Sequence, residues 1–548
     1  MMADTMRSSF PFQSIQTRVI HVLPRLLGQL DRDADSPTFG CFDRDYWHYK
    51  IRDFASAILQ QGMVVIECLR RPEAPDNPLR GHPQAIRWVD GALRFWAGQQ
   101  LGDGSFNEYY PGEHGFPPTA FSLRAALLVL RSRGLPEPEP RVAAAIQKAA
   151  QWLIRHAETE ALNQEAAALA ALALARGLPS IRLDADRLTA RLDRFLARQS
   201  AEGWFPEYGG ADAGYLSVTL DCLWDLFEAT GEPRFRDALD RGAAYIAALV
   251  AVSGETPAAV NSRNTDYILP YGLVRAAGHN SLAAAVVHAL FHRADKAAHP
   301  LARTDDRYLC HYVYASCARS LAHLGAVPPA TAPLPCQTGG DYALPEAGVL
   351  VRHVPGRASV YVAARKGGVV CRYGPDGIRD ADYGWRLPRP GGRVAVTHWQ
   401  DPGYRIQLAA GGDGAAAVSV EGAMTIHRWR VSSPLHHTVL RLAAFVLGQR
   451  LIPWLKQALI FRRIAAGIRF RRDVRLDGDV VAIRDTFTAP RPETANLVRA
   501  ADHSLRHVAS AGGFIPDDLI PPAPAAEQPE AAGDDTRVFA RRMDAPLG

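Results

Sequence analysis

EGWFPEYGGADAGY, residues 202–215, repeats the pattern of DGSFNEYYPGEHGF, residues 103–116, at a constant offset of 99 and without a gap. Acid-Gly, Phe, Glu-Tyr, a second acid and Gly-aromatic fall at matching positions, and each copy runs into a stretch of helical periodicity. Recurring loops of this kind fit stacked helical hairpins whose function gathers on the loop face. The glycines turn the chain, and Phe106 and Phe205 are expected to pack in equivalent places. The last letter differs: Tyr215 stands where the first copy has Phe116.

Around the two loops, from about 85 to 325, the pattern is helical. AIRWVDGALRFWAGQQ, AFSLRAALLVLRSRG, RVAAAIQKAAQWLIRHA, EAAALAALALARG and LSVTLDCLWDLFEATG carry apolar residues at i, i+3, i+4 spacing, and several end in Gly. So many consecutive helices predict a bundle, a solenoid or a closed toroid of helical hairpins. Near residue 340 the character changes. GVLVRHV, ASVYVAAR, GGVVCRYG, RVAVTHW and AAVSVEGAMTIHRWRV are short, β-branched and separated by turn residues, which reads as antiparallel sheet. The expected division is an N-terminal helical or loop extension (1–84), a toroid (85–325), a Pro-rich linker (326–340), an antiparallel β-rich domain (341–515) and a flexible or loop-like tail (516–548). Within the β part, residues 438–467 are apolar with interspersed Arg and Lys. They read as an ordinary helix packed on the sheet or as an amphipathic helix against a membrane surface or a partner.

Composition narrows the class. The chain is 47% apolar and 22% charged, with a net charge of +5 that permits an anionic partner without requiring one. Seven scattered cysteines form no CxxC pair, which argues against a metal site and a complete disulfide framework. No metal or cofactor is expected. The first residues lack the pattern of a secretory signal, and no run of about 20 apolar residues predicts a membrane span, so the expectation is a reduced, cytoplasmic protein, with peripheral attachment to the membrane left open. Walker, Rossmann, HExxH and GxSxG motifs are missing from the sequence, as is any nucleic-acid module. What remains is a set of aromatic- and carboxylate-bearing loops joined to a β domain, a combination suited to binding carbohydrate.

The order of helical domain, Pro-rich joint and β-sandwich-like domain resembles the heparinase II/III-like polysaccharide lyases. EGWFPEYGGADAGY, NQEAAAL, NSRNTDYILPYG and ARKGGV carry the likeness, over roughly 90–420. It implies an incomplete α/α toroid followed by an antiparallel β-sandwich, and cleavage of a uronate-containing polysaccharide by β-elimination. It also implies an Asn that neutralises the carboxylate and a Tyr that acts as acid or acid/base. Asn163 and Tyr215 match those positions. Many such lyases carry His directly after the Asn; here it is Gln164, which cannot be a base. A mechanism with Tyr215 as both base and acid then needs a cation to lower its pKa, and Arg263 is the candidate.

Tyr109, His114, Trp204, Glu207, Tyr208, Asn261, Asn264, Tyr267 and His398 are the expected substrate contacts, and the expected partner is an acidic polysaccharide or oligosaccharide. Two further readings stay open. A glycoside hydrolase on the same toroid would draw its acid and base from Asp103, Glu108, Glu207 and Asp212. A non-catalytic carbohydrate-binding protein of an assembly system would use the same cleft with segment 438–467 as its dock. As structural alternatives, Asn163 caps a helix, Tyr215 packs as Phe116 does, and Arg263 pairs with a carboxylate.

Overall fold

A computed structural model of the chain describes residues 12–71, 76–291, 299–411, 414–428, 432–489, 496–501, 529–532 and 535–544. Its first part is helical: α1 (Gln13–Gln29), the single turn α2 (Arg44–Trp47), α3 (Gly62–Leu69), α4 (Pro83–Gly98), α5 (Phe116–Ser132), α6 (Pro140–Arg155) and α7 (Leu162–Ala175). It continues with α8 (Ala185–Leu196), α9 (Ala213–Thr230), α10 (Pro233–Leu249), α11 (Tyr271–Ala276), α12 (Ser281–Phe291), the short α13 (Pro300–Arg303) and α14 (Tyr312–Ser320). Two kinds of helix alternate. In α7 all but one residue is buried, and its many alanines let neighbours approach on every side. In α8 only Leu188, Arg191, Leu192 and Phe195 are buried, one stripe of an otherwise wet helix.

That alternation builds a double ring. The all-round apolar helices α3, α5, α7, α9, α11 and α14 pack in sequence, and α14 returns to α3. The amphipathic helices α4, α6, α8, α10 and α12 lie outside them, and α1 backs α14. The toroid therefore draws on α1 and α3, which the sequence division assigned to a separate extension. Their contribution is hidden in the sequence because α3, GMVVIECL, is a short apolar run without a wet face to give it periodicity. Buried ion pairs cross the ring: Asp225 of α9 bonds both Arg124 of α5 and Arg319 of α14.

Two antiparallel sheets follow. Strands β1 (Gly340–Leu344), β2 (Val349–Val354), β3 (Ala358–Ala363), β4 (Val369–Gly374) and β5 (Gly377–Asp382) form a meander in chain order. The second sheet holds β6 (Trp385–Arg389), β7 (Arg393–Val396), β8 (Arg405–Ala409), β9 (Ala416–Arg428), β10 (Ala465–Asp477), β11 (Val480–Thr488), β12 (Val498–Arg499), β13 (Ala531–Ala532) and β14 (Thr536–Met543). Its order is β12-β6-β7-β9-β10-β11-β14-β13, with β8 also on β9.

The small sheet is a middle layer. Val349, Val351, Tyr361, Ala363, Val369 and Cys371 join the core of the helices, while Leu350, Val360, Val362 and Val370 join the core of the large sheet. Alternate residues thus face opposite layers, both dry, so β2 to β4 read as unbroken apolar runs. The layer is pinned to α10: Tyr361 Oη donates to the Leu249 carbonyl at 3.0 Å, and His353 Nε2 meets the Ala248 carbonyl at 3.2 Å. In the large sheet, Arg472 bonds Asp382 and Asp485 in the interior, joined by Arg499.

Two expectations differ from the structure. Thr536–Met543 lies inside the stretch expected to be a loop-like tail, yet pairs with β11 from Val481 to Thr488. Of that stretch, 516–528, 533–534 and 545–548 lie outside the described residues. Residues 438–467 do not lie against the sheet as a single helix. Helices α15 (Pro335–Thr338), α16 (Pro434–Leu447) and α17 (Leu451–Lys456) complete the α-helices of the described residues, and the last two form a strap that runs back to the toroid. Arg441 bonds Asp53, Lys456 bonds Glu158, and Arg463 bonds Asp401. Pro434–Lys456 is also, at 23 residues, long and apolar enough to cross a bilayer, which the run-length reading of the sequence did not anticipate.

Candidate active site

The loops that open the inner helices lie side by side on one face. Ala57 before α3 donates to the Asn107 carbonyl before α5, and Leu162 at the start of α7 donates to Pro206 before α9. Ser262 before α11 donates to the Ala211 carbonyl, and Tyr267 Oη lies 3.0 Å from Tyr312 Oη at the start of α14. The sequence pattern therefore gathers six loops around one mouth, beside the β domain. Lys366 of ARKGGV reaches the Asn261 carbonyl at 3.0 Å and the Asn264 side chain, and Gln400 closes against Gly210.

Within the second loop the carboxylates are framework. Glu207 is fully buried and accepts from the Asn163 backbone N–H at 2.6 Å and its side-chain Nδ2 at 2.7 Å. Burial raises the Glu207 carboxyl well above the usual carboxylate range against the pull of the Asn163 bonds, and Asp212 adds to the rise. Asp212 caps α9: it accepts from the Tyr215 N–H at 3.1 Å, the Arg263 N–H at 2.9 Å and the Thr265 hydroxyl. Every oxygen of the two groups is engaged, which removes them as the acid and base of a hydrolase. Asn261 is framework too, its amide bridging the Ala213 N–H and the Thr265 carbonyl. Trp204 is buried in the ring core with its indole on Glu202, and Tyr267 is buried against Tyr312.

Three side chains remain oriented to the mouth. Arg263 stands over the Tyr208 ring, 4.8 Å from its centroid, and its guanidinium pairs with no carboxylate among the described residues. Tyr208, at φ +51°, has its hydroxyl held by Gln164 Nε2 at 3.1 Å. Tyr215 is half-buried, and its hydroxyl makes no hydrogen bond among the described residues. Burial raises that hydroxyl well above the ordinary tyrosine range, Tyr312 adds to it, and Arg263 pulls it down without prevailing. The expected cation is present, but the net shift is opposite to the one a resting tyrosinate base requires. Tyr215 keeps its proton.

The other expected contacts are dispersed. Tyr109 is exposed beside the mouth in the first loop, where Glu113 accepts from the N–H groups of Glu108 and Tyr109, both at 2.7 Å. His114 is turned onto Asp103 at 2.7 Å and Ser105 at 2.9 Å. His398 is buried in the β domain, away from solvent. Sequence reasoning missed the strap: Lys456 lies 5.8 Å from the Tyr208 ring and Phe461 6.4 Å from it, centroid to centroid. No local signal links residue 456 to residue 208; the link depends on how β9 and β10 return the chain. A groove of about 670 Å³ also lies elsewhere, on the outer face of β8 to β11 and β14.

No family model matches the sequence, and no curated protein matches it. Solved structures do. Streptomyces coelicolor A3 chondroitin AC lyase, in complex with chondroitin sulphate, aligns over 86% of this chain and 66% of its own, at 13% identity and a TM-score of 0.52. The fold is shared with a polysaccharide lyase. A Paenibacillus xanthan lyase aligns over 89% of this chain and 46% of its own, at 11% identity and a TM-score of 0.49. Heparinase III aligns over 86% and 70%, at 11% identity and 0.44. The chain thus spans just under two thirds of the chondroitin lyase and less than half of the xanthan lyase. The toroid followed by antiparallel sheets agrees with the fold that the sequence led us to expect.

Proposed function

We propose that the protein is a lyase of an acidic, uronate-containing polysaccharide, acting where the inner helices begin. The observation that carries this reading is Arg263, a guanidinium without a carboxylate partner among the described residues, set over the Tyr208 ring, near enough to Tyr215 to pull on its hydroxyl, and itself held to Asp212 through its backbone N–H. A uronate carboxylate supplies the missing anion, and bidentate pairing to Arg263 orients the sugar. The shared fold with a chondroitin lyase supports the substrate class.

β-Elimination removes a proton next to the carboxylate while the C4–O bond breaks, so charge develops on the carboxylate oxygens. Arg263 and the Asn163 amide stabilise that charge. Glu207 holds the amide in place by accepting one of its two Nδ2 hydrogens at 2.7 Å, which leaves the other for the substrate. Tyr215, protonated at rest and unpaired, delivers its proton to the leaving oxygen. Gln164, in place of the usual His, cannot take the C5 proton, so that proton passes to water at the mouth while Tyr215 protonates the leaving oxygen. The tyrosinate so formed recovers a proton from solvent.

The test is incubation with a panel of uronate polymers, following ultraviolet absorbance of the unsaturated product beside reducing ends. Both signals rise together if the reading holds. Reducing ends without absorbance assign hydrolysis instead, and binding without either product assigns a non-catalytic role.

A further inference from the structure

Twelve large apolar side chains are markedly exposed among the described residues, and eight of them fall between Leu435 and Ile464. Leu435, Val439, Leu442 and Val446 recur at i, i+4, i+7 and i+11 down one side of α16. Beside them Phe445 is 88% exposed and Val446 78%. The other side of the strap carries Ala444 and Leu451, both buried. The strap is therefore apolar on two sides with only one covered, an arrangement found where a second surface covers the other.

Charge identifies that surface. From Ser433 to Arg463 the chain has five Arg or Lys and no Asp or Glu. Three of the five hold the strap to the body, through Asp53, Glu158 and Asp401. Arg450 and Arg462 are exposed and pair with no carboxylate among the described residues. Trp454, 65% exposed, sits among them. Apolar residues, a tryptophan and unpaired cations without acids are the composition of an interfacial helix on anionic lipid. The strap also breaks at Gly448, where φ is +50°, and carries Pro453 inside α17, so it is not one straight rod. Spanning would pull Arg441 and Lys456 off their carboxylates and into hydrocarbon.

We propose that α16 and α17 dock the protein, lying in the plane of the surface, onto an anionic phospholipid membrane. The strap runs past the loops, with Gly448 near His114 of the first and Lys456 and Phe461 near Tyr208 of the second, so docking holds the mouth of the ring close to the lipid. This inference does not depend on the lyase reading.

The test is flotation of the full chain with vesicles of phosphatidylcholine, alone or with about one third phosphatidylglycerol. Binding to the anionic vesicles is expected to be at least about tenfold tighter and to weaken with salt. The pair Phe445→Glu and Val446→Glu should abolish it without altering the circular dichroism or the melting temperature, because both side chains are exposed. Equal affinity for neutral vesicles, or undiminished binding by the pair variant, overturns the proposal. So does resistance to alkaline carbonate extraction, which would assign a span. Self-association that the pair variant removes, without vesicle binding, assigns the face to a second copy and overturns it too.

Discussion

The loops at 103–116 and 202–215 are the same piece of architecture carrying different chemistry. In both, a glycine at positive φ, Gly104 at +101° and Gly203 at +98°, runs so close to the next outer helix that a Cβ would strike a backbone carbonyl, of Lys148 or Arg241. In both, a glutamine holds the turn: Gln100 Nε2 donates to Gly104 and Ala145 carbonyls, and Gln199 Nε2 to Gly203 and Ala238. Phe106 stacks on Trp96 at 5.1 Å, and Phe205 on Phe195 at 4.8 Å. At the last position they part. Phe116 packs against Trp152, whereas Tyr215 leaves its hydroxyl free toward Arg263. Shared residues are scaffold, and the divergent one is the candidate for chemistry.

Substitutions can break that comparison. Tyr215→Phe turns the second loop into the first, and should cut elimination about 10²–10⁴-fold with no change in melting temperature. Phe116→Tyr, the reverse exchange, should add no activity. Two arginines sharpen the same point. Arg319→Met leaves Asp225 half-paired in the ring and should cost about 3–5 kcal/mol by urea denaturation. Arg263→Met, with no ion pair to lose among the described residues, should cost under about 1 kcal/mol yet lower kcat/KM on a uronate substrate about 100-fold. Gln100→Ala and Gln199→Ala should each cost about 1–2 kcal/mol, alike within error, because they do the same work.

A smaller, pH-dependent effect separates the loops from ordinary surface. Glu207 has a folded pKa raised above its unfolded value, chiefly by burial, so the folded state keeps a proton that the unfolded state releases. Its contribution therefore falls as pH rises above about 4.3, the unfolded value, toward the folded one. Burial, then the facing carboxyl of Glu113, raises Glu108 at the equivalent position. Glu207→Gln and Glu108→Gln should each flatten the decline in melting temperature between about pH 5 and 8.

The sequence made the scaffold legible because scaffold repeats. The constant offset, helical periodicity and turn to β-branched runs near 340 all recur in the structure as ring, double layer and sheets. Polar strands were harder to find: β5, GIRDAD, and β14, TRVFARRM, lack apolar alternation because they take Arg–Asp pairs in place of apolar contacts. Site residues were legible only as a list. Asn163, Glu207, Tyr208, Tyr215 and Arg263 do come together, but their chemistry depends on which oxygens the framework consumes, and no spacing encodes that. Glu207 and Asp212 looked like catalytic carboxylates and are instead fully engaged braces.

The most direct measurement is a crystal structure with a uronate oligosaccharide bound. The account predicts the uronate carboxylate within hydrogen-bond distance of Arg263, with the Asn163 amide on the same sugar and Tyr215 Oη facing the glycosidic oxygen. A sugar seated in the groove over β8 to β11, with the mouth of the ring empty, would contradict it.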